Sequence, residues 1–252
     1  MCTVVFLRRP DHLWPLMLAA NRDEMADRPW RKPGRHWPDR PDVIAGQDEL
    51  AGGSWLGIND AGVVAGILNR KDSLGPDPAL RSRGELVLEA LDHADAVAAA
   101  GALGDIDPRS YRSFNLFVAD NRDAWWVRSL GPAGPPRVEL RPIPDGLSML
   151  TAWDLDAPSS ARTRLFRPRF AATPPPEPEA DRWDGWEELL ASRDYEPGTG
   201  PSEAMCVVTP RGFGTLSSSL IALARPGAPK PSKLWRFAAG QPGESTFDPV
   251  RL

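Results

Sequence analysis

The chain has 252 residues, with 30 Lys and Arg against 34 Asp and Glu and a formal charge of −4, so it lacks the basic excess of a dedicated nucleic-acid binder. Its 41% hydrophobic and 25% charged residues describe an ordinary globular protein, and no apolar run approaches the ~18 residues of a membrane helix. The opening residues run from apolar to basic, the reverse of a secretory signal, and two cysteines, Cys2 and Cys206, cannot build a disulfide framework or a four-cysteine zinc site; a cytoplasmic protein is expected.

Cys2–Leu7 is a β-branched and aromatic run that predicts a strand, and Leu16–Ala20 predicts its hairpin partner, delivering Asn21-Arg22-Asp23-Glu24 at its end. Residues 27–42, with four prolines and several charges, suit an irregular loop. Gly52–Ile58, the turn Asn59-Asp60-Ala61-Gly62 and Val63–Leu68 read as strand, turn, strand. Ser82-Arg83-Gly84-Glu85 matches a capping box and opens helical content to about residue 102. Strands are expected again at Phe114–Ala119, Ala124–Val127, Val138–Arg141 and Leu147–Thr151, then helices at Ser159–Phe170 and Trp183–Ser192 around a Pro-rich loop. Met205–Thr209, Leu216–Leu223 and Leu234–Phe237 close the chain as strands. Hairpins rather than regular βαβ alternation predict antiparallel sheets with helices on their outer faces, in one domain over residues 1–252.

Several chemistries are disfavoured by what the sequence lacks. His12, His36 and His93 lie in three separate segments, with no pair at metal-ligand spacing, so no metal and no cofactor are expected. The glycine clusters at Gly52-Gly53 and Gly212-Phe213-Gly214 lack the lysine and helix start of a phosphate loop. Ser217–Ser219 sits in a strand-like run without a G-x-S-x-G elbow.

Cys2 admits two readings. It is a small residue at a strand start, where a free cysteine is ordinarily core. It is also small enough for Met1 to be excised, which would place an α-amine of pKa near ~8 on the same residue as the thiol, a nucleophile with its own general base. Cys206, inside Ala204–Val208, reads as core. Asn21–Glu24 is a dense polar cluster after a buried strand, but Asn121-Arg122-Asp123 repeats its tripeptide in a plain hairpin turn.

The blocks together are more specific. Met1-Cys2-Thr3, Ala19-Ala20-Asn21-Arg22-Asp23-Glu24, Ala45-Gly46-Gln47-Asp48 and Gly52-Gly53-Ser54-Trp55-Leu56-Gly57 resemble the NRDE, or transport-and-Golgi-organization, family. Ser82–Leu86, Phe114-Asn115-Leu116, Gly146-Leu147-Ser148 and Phe213-Gly214-Thr215 continue the likeness in family order to about residue 223. The resemblance implies an α+β fold of the N-terminal-nucleophile (Ntn) hydrolase type, a four-layer αββα sandwich of two antiparallel sheets between helices. Gly57–Gly62 through Gly66-Ile67-Leu68-Asn69 also resembles the matching segment of penicillin V acylases and bile salt hydrolases.

Carried over residue by residue, that likeness makes Cys2 the nucleophile, Asp23 the group holding its amine, and Asn69 a donor to the oxyanion. Arg22 joins them as a catalytic candidate, although the acylases place their arginine where Ala20 stands here. The acylases' second asparagine has no counterpart in Leu150-Thr151-Ala152-Trp153, and Arg162 and Arg164 are alternative candidates for a late active-site arginine. Asn21, Trp55 and Arg83 are the candidates for substrate binding. The implied function is an amidohydrolase cleaving a non-peptide C–N bond through a Cys2 thioester, acting on a small-molecule substrate. The alternative is a non-catalytic carrier of an apolar ligand, haem or an acyl lipid, on the same fold. Neither a nucleic-acid partner nor a membrane span is expected, and the oligomeric state is left open.

Overall fold

The computed structural model describes residues 2–75, 77–135, 137–228 and 232–252; Met1, whose removal the sequence reading invokes, lies outside them. In chain order the strands begin with β1 (Thr3–Arg8), β2 (Leu16–Met25), β3 (Trp30–Gly34), β4 (Val43–Asp48), β5 (Leu56–Asn59) and β6 (Val64–Asn69). Helices α1 (Glu85–Leu91) and α2 (Ala96–Gly104) precede β7 (Phe114–Ala119), β8 (Ala124–Ser129), β9 (Glu139–Pro142) and β10 (Gly146–Leu150). Helices α3 (Ala161–Ala172) and α4 (Asp184–Ala191) precede β11 (Phe213–Leu223), β12 (Lys233–Ala238) and β13 (Phe247–Pro249). The chain divides into two compact units, Met1–Arg28 with Pro144–Arg251, and Pro29–Ile143 with Leu252.

The first unit is built on a six-stranded antiparallel sheet in the order β10-β1-β2-β11-β12-β13. Side chains alternate across a strand, and one face presents Val5, Met17, Ala19, Met149, Leu220 and Ala222 to a helical layer. The helices answer at helical spacing, Phe166 and Phe170 from α3 and Trp186 and Leu190 from α4. Phe170 and Trp186 meet edge to face with centroids 5.6 Å apart.

The second unit holds a seven-stranded antiparallel sheet, β3 through β9 in sequence order, a meander that needs only hairpin connections. Val43, Ala45, Ala65, Leu116, Val118 and Val127 pack against α1 and α2, where Ala96, Ala99, Ala100 and Leu103 follow helical spacing. A Cβ at Gly57 would lie 2.7 Å from Leu91 Cδ1 and 2.6 Å from Ala45 Cβ, so only glycine lets α1 settle on β5.

In each unit one buried asparagine closes a helix end. The Asn59 amide donates to Leu91 O at 2.8 Å and His93 O at 2.7 Å, and its oxygen accepts from Val63 N at 2.9 Å. The Asn21 amide donates to Leu190 O at 3.0 Å and Met205 O at 2.9 Å, and its oxygen accepts from Ser218 Oγ at 2.6 Å. Carbonyls at a helix C-terminus have no intrahelical partner; here a strand side chain satisfies them.

Several sequence expectations require correction. β2 runs on through Met25, so Asn21–Glu24 lies within a strand, not at a turn. The loop expected over 27–42 contains β3, an edge strand that tolerates Pro33 because its outer side needs no donor. The helix from residue 82 is two, broken after Leu91 and restarted by Asp95, whose carboxylate caps Ala98 N at 2.8 Å. No capping box forms. Ser82 Oγ accepts from Gly84 N, and Glu85 is taken by the Tyr111 hydroxyl at 2.6 Å and by Arg81 at 2.7 Å. Met205–Thr209 is no strand, but a segment touching β11 through the Val208–Gly214 bridge. β4 and β13 had no predicted counterpart.

Asn59→Ala leaves three backbone groups without their partner. It is expected to lower stability by about 2–4 kcal/mol, measured by urea unfolding with far-UV circular dichroism.

Candidate functional site

The register of the first sheet assembles the site. Thr3 pairs with Asn21 across β1 and β2, so one further step sets Cys2 opposite Arg22. On the other side of β2, Thr215 of β11 pairs with Asp23 and Ser217 with Arg22, leaving Leu216 as an extra residue. This β-bulge shifts the alternation of β11 by one position. Thr215 and Ser218, three residues apart, therefore share one face, with Asp23 and Asn21 respectively.

On that face, toward the helices, the Asp23 carboxylate is fully buried and has a donor at each oxygen. Arg162 Nη1 lies 3.0 Å from Oδ2, with the two side chains 1% and 0% exposed. Thr215 Oγ1 donates to Oδ1 at 2.6 Å. Because Val207 N donates to that same hydroxyl oxygen at 2.8 Å, the hydroxyl's own hydrogen is directed at the carboxylate. Arg162 also donates to Thr3 Oγ1 at 2.7 Å and, through Nη2, to Ser202 O at 2.8 Å. The acid is thus held as an acceptor-only carboxylate by groups from β1, α3, β11 and the 202–207 segment. Gly214 makes the last approach possible, since a Cβ there would stand 2.8 Å from Val207 O.

Thr3 faces the helices, so alternation turns Cys2 to the opposite face, that of Arg22. Its Sγ donates to the Asp23 carbonyl at 3.7 Å, and the residue keeps partial exposure. The thiol pKa is nevertheless raised, by burial of the sulfur first and by the Asp23 charge second; the N-terminal ammonium, the bond to Asp23 O and Arg22 pull it down. A thiol in this position is protonated at neutral pH and needs a base to become nucleophilic. Cys206 lies buried in the segment that flanks Asp23, with its pKa also raised, chiefly by burial, against a lowering contribution from Arg193.

The other predicted residues fall as follows. Asn21 is in the first unit beside Asp23, but its amide is committed to the carbonyls described above and to Ser218. Asn69 ends β6 in the second unit, half-buried, with no side-chain hydrogen bond among the described residues. Trp55, in the same unit, lies over Gly46 and meets Trp30 edge to face at 5.7 Å. Arg83 Nη1 donates to Ser73 O, Ser73 Oγ and Ser113 O, each at 3.0 Å, tying Ser73 and Ser113 together. Of the two late arginines, Arg162 reaches Asp23, whereas Arg164 is half-exposed and engages Glu196 and Pro158 O. Thr3 and Thr215 carry no sequence signal of their own beyond membership of the matched blocks. Among the described residues no cluster of three or more His, Cys, Asp or Glu is placed to hold a metal ion, and no helix is long and apolar enough to cross a membrane.

A family model described as Transport and Golgi organisation 2 matches residues 1–158. The Transport and Golgi organization 2 homolog of Mus musculus is 33% identical over 136 residues, which cover 48% of this chain and 45% of the relative. The Homo sapiens homolog is 34% identical with the same coverage; the matched part thus spans under half the length of these curated relatives. Among solved structures, penicillin V acylase from Agrobacterium tumefaciens superposes with a TM-score of 0.51 at 15% identity, over 95% of this chain and 83% of its own. A conjugated bile acid hydrolase variant from Clostridium perfringens gives 0.55 at 10%, over 100% and 92%. A Caenorhabditis elegans N-acylethanolamine-hydrolyzing acid amidase ortholog gives 0.54 at 12%, over 90% and 95%. At these identities the likeness is one of fold, that of the Ntn hydrolases.

Arg162→Met strands the buried Asp23 charge and is expected to cost about 3–5 kcal/mol of stability, whereas Arg164→Met stays within about 0.5 kcal/mol; paired urea titrations distinguish them. Arg22→Gln removes a charge that lowers the Cys2 thiol pKa. Alkylation of Cys2 at pH 8 should therefore slow relative to the parent, and in both proteins accelerate as pH rises past 9, the ordinary thiol value.

Proposed function

This chain belongs to the Transport and Golgi organisation 2 family, and from that premise we propose that it is a cytoplasmic N-terminal-cysteine amidohydrolase working as one domain on a non-peptide C–N bond. The observation that carries the reading is the placement of Cys2. It stands one register step beyond β1, opposite Arg22 and bonded to the backbone of Asp23, whose carboxylate is held by Arg162 and Thr215. The fold shared with two acylamide hydrolases and a bile acid hydrolase supports it.

Release of the α-amine of Cys2, here by loss of Met1, supplies the base that the raised thiol pKa demands. The amine takes the thiol proton as Sγ bonds to the amide carbon. The tetrahedral intermediate then collapses, its C–N bond breaks, and the resulting ammonium returns the proton to the leaving amine. Water, deprotonated by the same amine, cleaves the thioester and regenerates the thiol. Arg22 stabilises negative charge at the sulfur, and Asp23 fixes the strand segment on which the amine rests. Asn69 takes the oxyanion-donor role by its matching position at the end of the strand–turn–strand segment. Trp55 and Arg83 are assigned by this reading to substrate binding rather than to chemistry, whereas Asn21, whose side chain is consumed on the helix-facing side of β2, supports the strand instead. The carrier reading for haem or an acyl lipid rests on the family resemblance alone.

Cys2→Ala is expected to abolish hydrolysis across a panel of N-acyl anilides with an unchanged thermal midpoint. A form carrying an uncleavable N-terminal extension keeps the thiol but loses the base, and should fall by about 10²–10⁴-fold in kcat. Full activity in the extended form would reject an amine-based mechanism, and full activity of Cys2→Ala would reject the nucleophile.

A further inference from the structure

The proline-rich segment after α3 and the start of α4 enclose a cleft of about 150 Å³ within the first unit, the size of a cavity that holds benzene. Pro174, Pro175 and Pro176 line it from the segment, and Trp183, Gly185 and Trp186 line it from the helix start. Between these two stretches Glu177 and Arg182 exchange two backbone hydrogen bonds, at 3.0 and 3.1 Å, and their side chains form an ion pair. A Cβ at Gly185 would stand 2.5 Å from Thr173 Cγ2, so glycine lets α4 begin this close to the segment.

The unmet polar atoms of the lining residues include three donors. Trp183 is only 2% exposed, and its indole Nε1 is buried with no hydrogen-bond partner. No side chain caps α4, and the backbone N–H groups of Asp184 and Gly185 have no partner among the described residues. Helix starts leave such donors open, and a buried donor without an acceptor is destabilising until one is supplied. Charge then selects the acceptor. The Asp184 carboxylate, on the cleft, has no ion-pair partner among the described residues, and Glu187 stands in the same first turn. Arg182 is spent on Glu177, and Arg236, the cation that draws the Glu187 pKa down, is paired with Asp181 at 2.8 Å. An anion would meet these acids, and a simple cation would bring no acceptor to the N–H groups. A neutral molecule with an acceptor oxygen and a compact apolar body satisfies both conditions.

We propose that this cleft is a binding site for a compact neutral amide, whose carbonyl oxygen accepts from Trp183 Nε1 and whose apolar body lies against the prolines. The positive end of α4 favours the same orientation, with the carbonyl oxygen toward the helix start. The site lies wholly within residues 174–186 and is independent of the hydrolase reading.

The test is proton–nitrogen NMR of the full chain during titration with 2-pyrrolidinone, a neutral lactam, with acetate and tetramethylammonium as the anionic and cationic comparisons. The indole signals of the ten tryptophans are assigned by triple-resonance experiments. 2-Pyrrolidinone is expected to move the Trp183 indole proton downfield and saturably, with a Kd on the order of a few mM for a ligand of its size. Acetate and tetramethylammonium at equal concentration should leave that signal in place. Trp183→Phe removes a donor that bonds to nothing in the fold, and binding read at the Gly185 amide should weaken by about fivefold. Absence of a saturable shift with 2-pyrrolidinone would mean that the cleft holds only water, and would overturn the proposal. A stronger response to either ion, or unchanged affinity in a folded Trp183→Phe protein, would overturn it equally. Should that variant not fold, the parent titration decides alone: a downfield Trp183 shift supports the hydrogen bond, and an upfield one rejects it.

Discussion

The buried pair of Asp23 and Arg162 is the constraint around which the first unit is arranged. A carboxylate without water is tolerable only when its oxygens are met by donors. Arg162 meets one oxygen and Thr215 the other. To bring Thr215 to Asp23 while keeping Ser218 at Asn21, β11 must carry one extra residue, and it does so at Leu216. To let the 205–208 segment donate to Thr215 from close by, residue 214 must be glycine. Such an ion pair adds little net stability, because desolvation offsets most of its attraction. Its consequence is geometric: β1, β2, β11 and α3 are joined at one point, two residues from Asn21 and directly beneath Cys2.

Strand alternation then separates structure from chemistry. Thr3, Asn21, Asp23, Thr215 and Ser218 face the helices, and their polar atoms are spent on one another and on helix and segment carbonyls. Cys2, Arg22, Ser217 and Ser219 face the other way. The NRDE sequence is therefore two interleaved sets. Its Asn and Asp build the support, and its Arg lies on the face to which Cys2 turns.

Much of this was legible in the sequence, for identifiable reasons. The hairpins at Val64–Asn69 and Phe114–Ala119 were readable because their turns carry Asn, Asp and Gly between continuous apolar runs. The cysteine and the acid came from the matched blocks. The extent of β2 was hidden because a strand whose end turns polar looks like a turn, and only the pairing of Asn21 to Met25 with β11 shows that it continues. The capping box failed because Tyr111 and Arg81, distant or invisible in the local pattern, compete for Glu85. Thr215 and the bulge had no signal: one inserted residue changes no composition, only a phase. Arg162 and Arg164 are indistinguishable in sequence, two residues apart on one helix, yet a rotation of about 200° sends one inward and the other to Glu196.

Membership of the Transport and Golgi organisation 2 family and the Ntn-hydrolase fold set the frame, and the proposed chemistry stands or falls with the state of one residue. The most direct measurement is the intact mass of the purified protein before and after brief, limiting treatment with iodoacetamide, followed by peptide mapping. The account predicts that Met1 is gone and that Cys2 is modified first, well ahead of the buried Cys206. Retention of Met1, or a Cys2 no more reactive than Cys206, would contradict it.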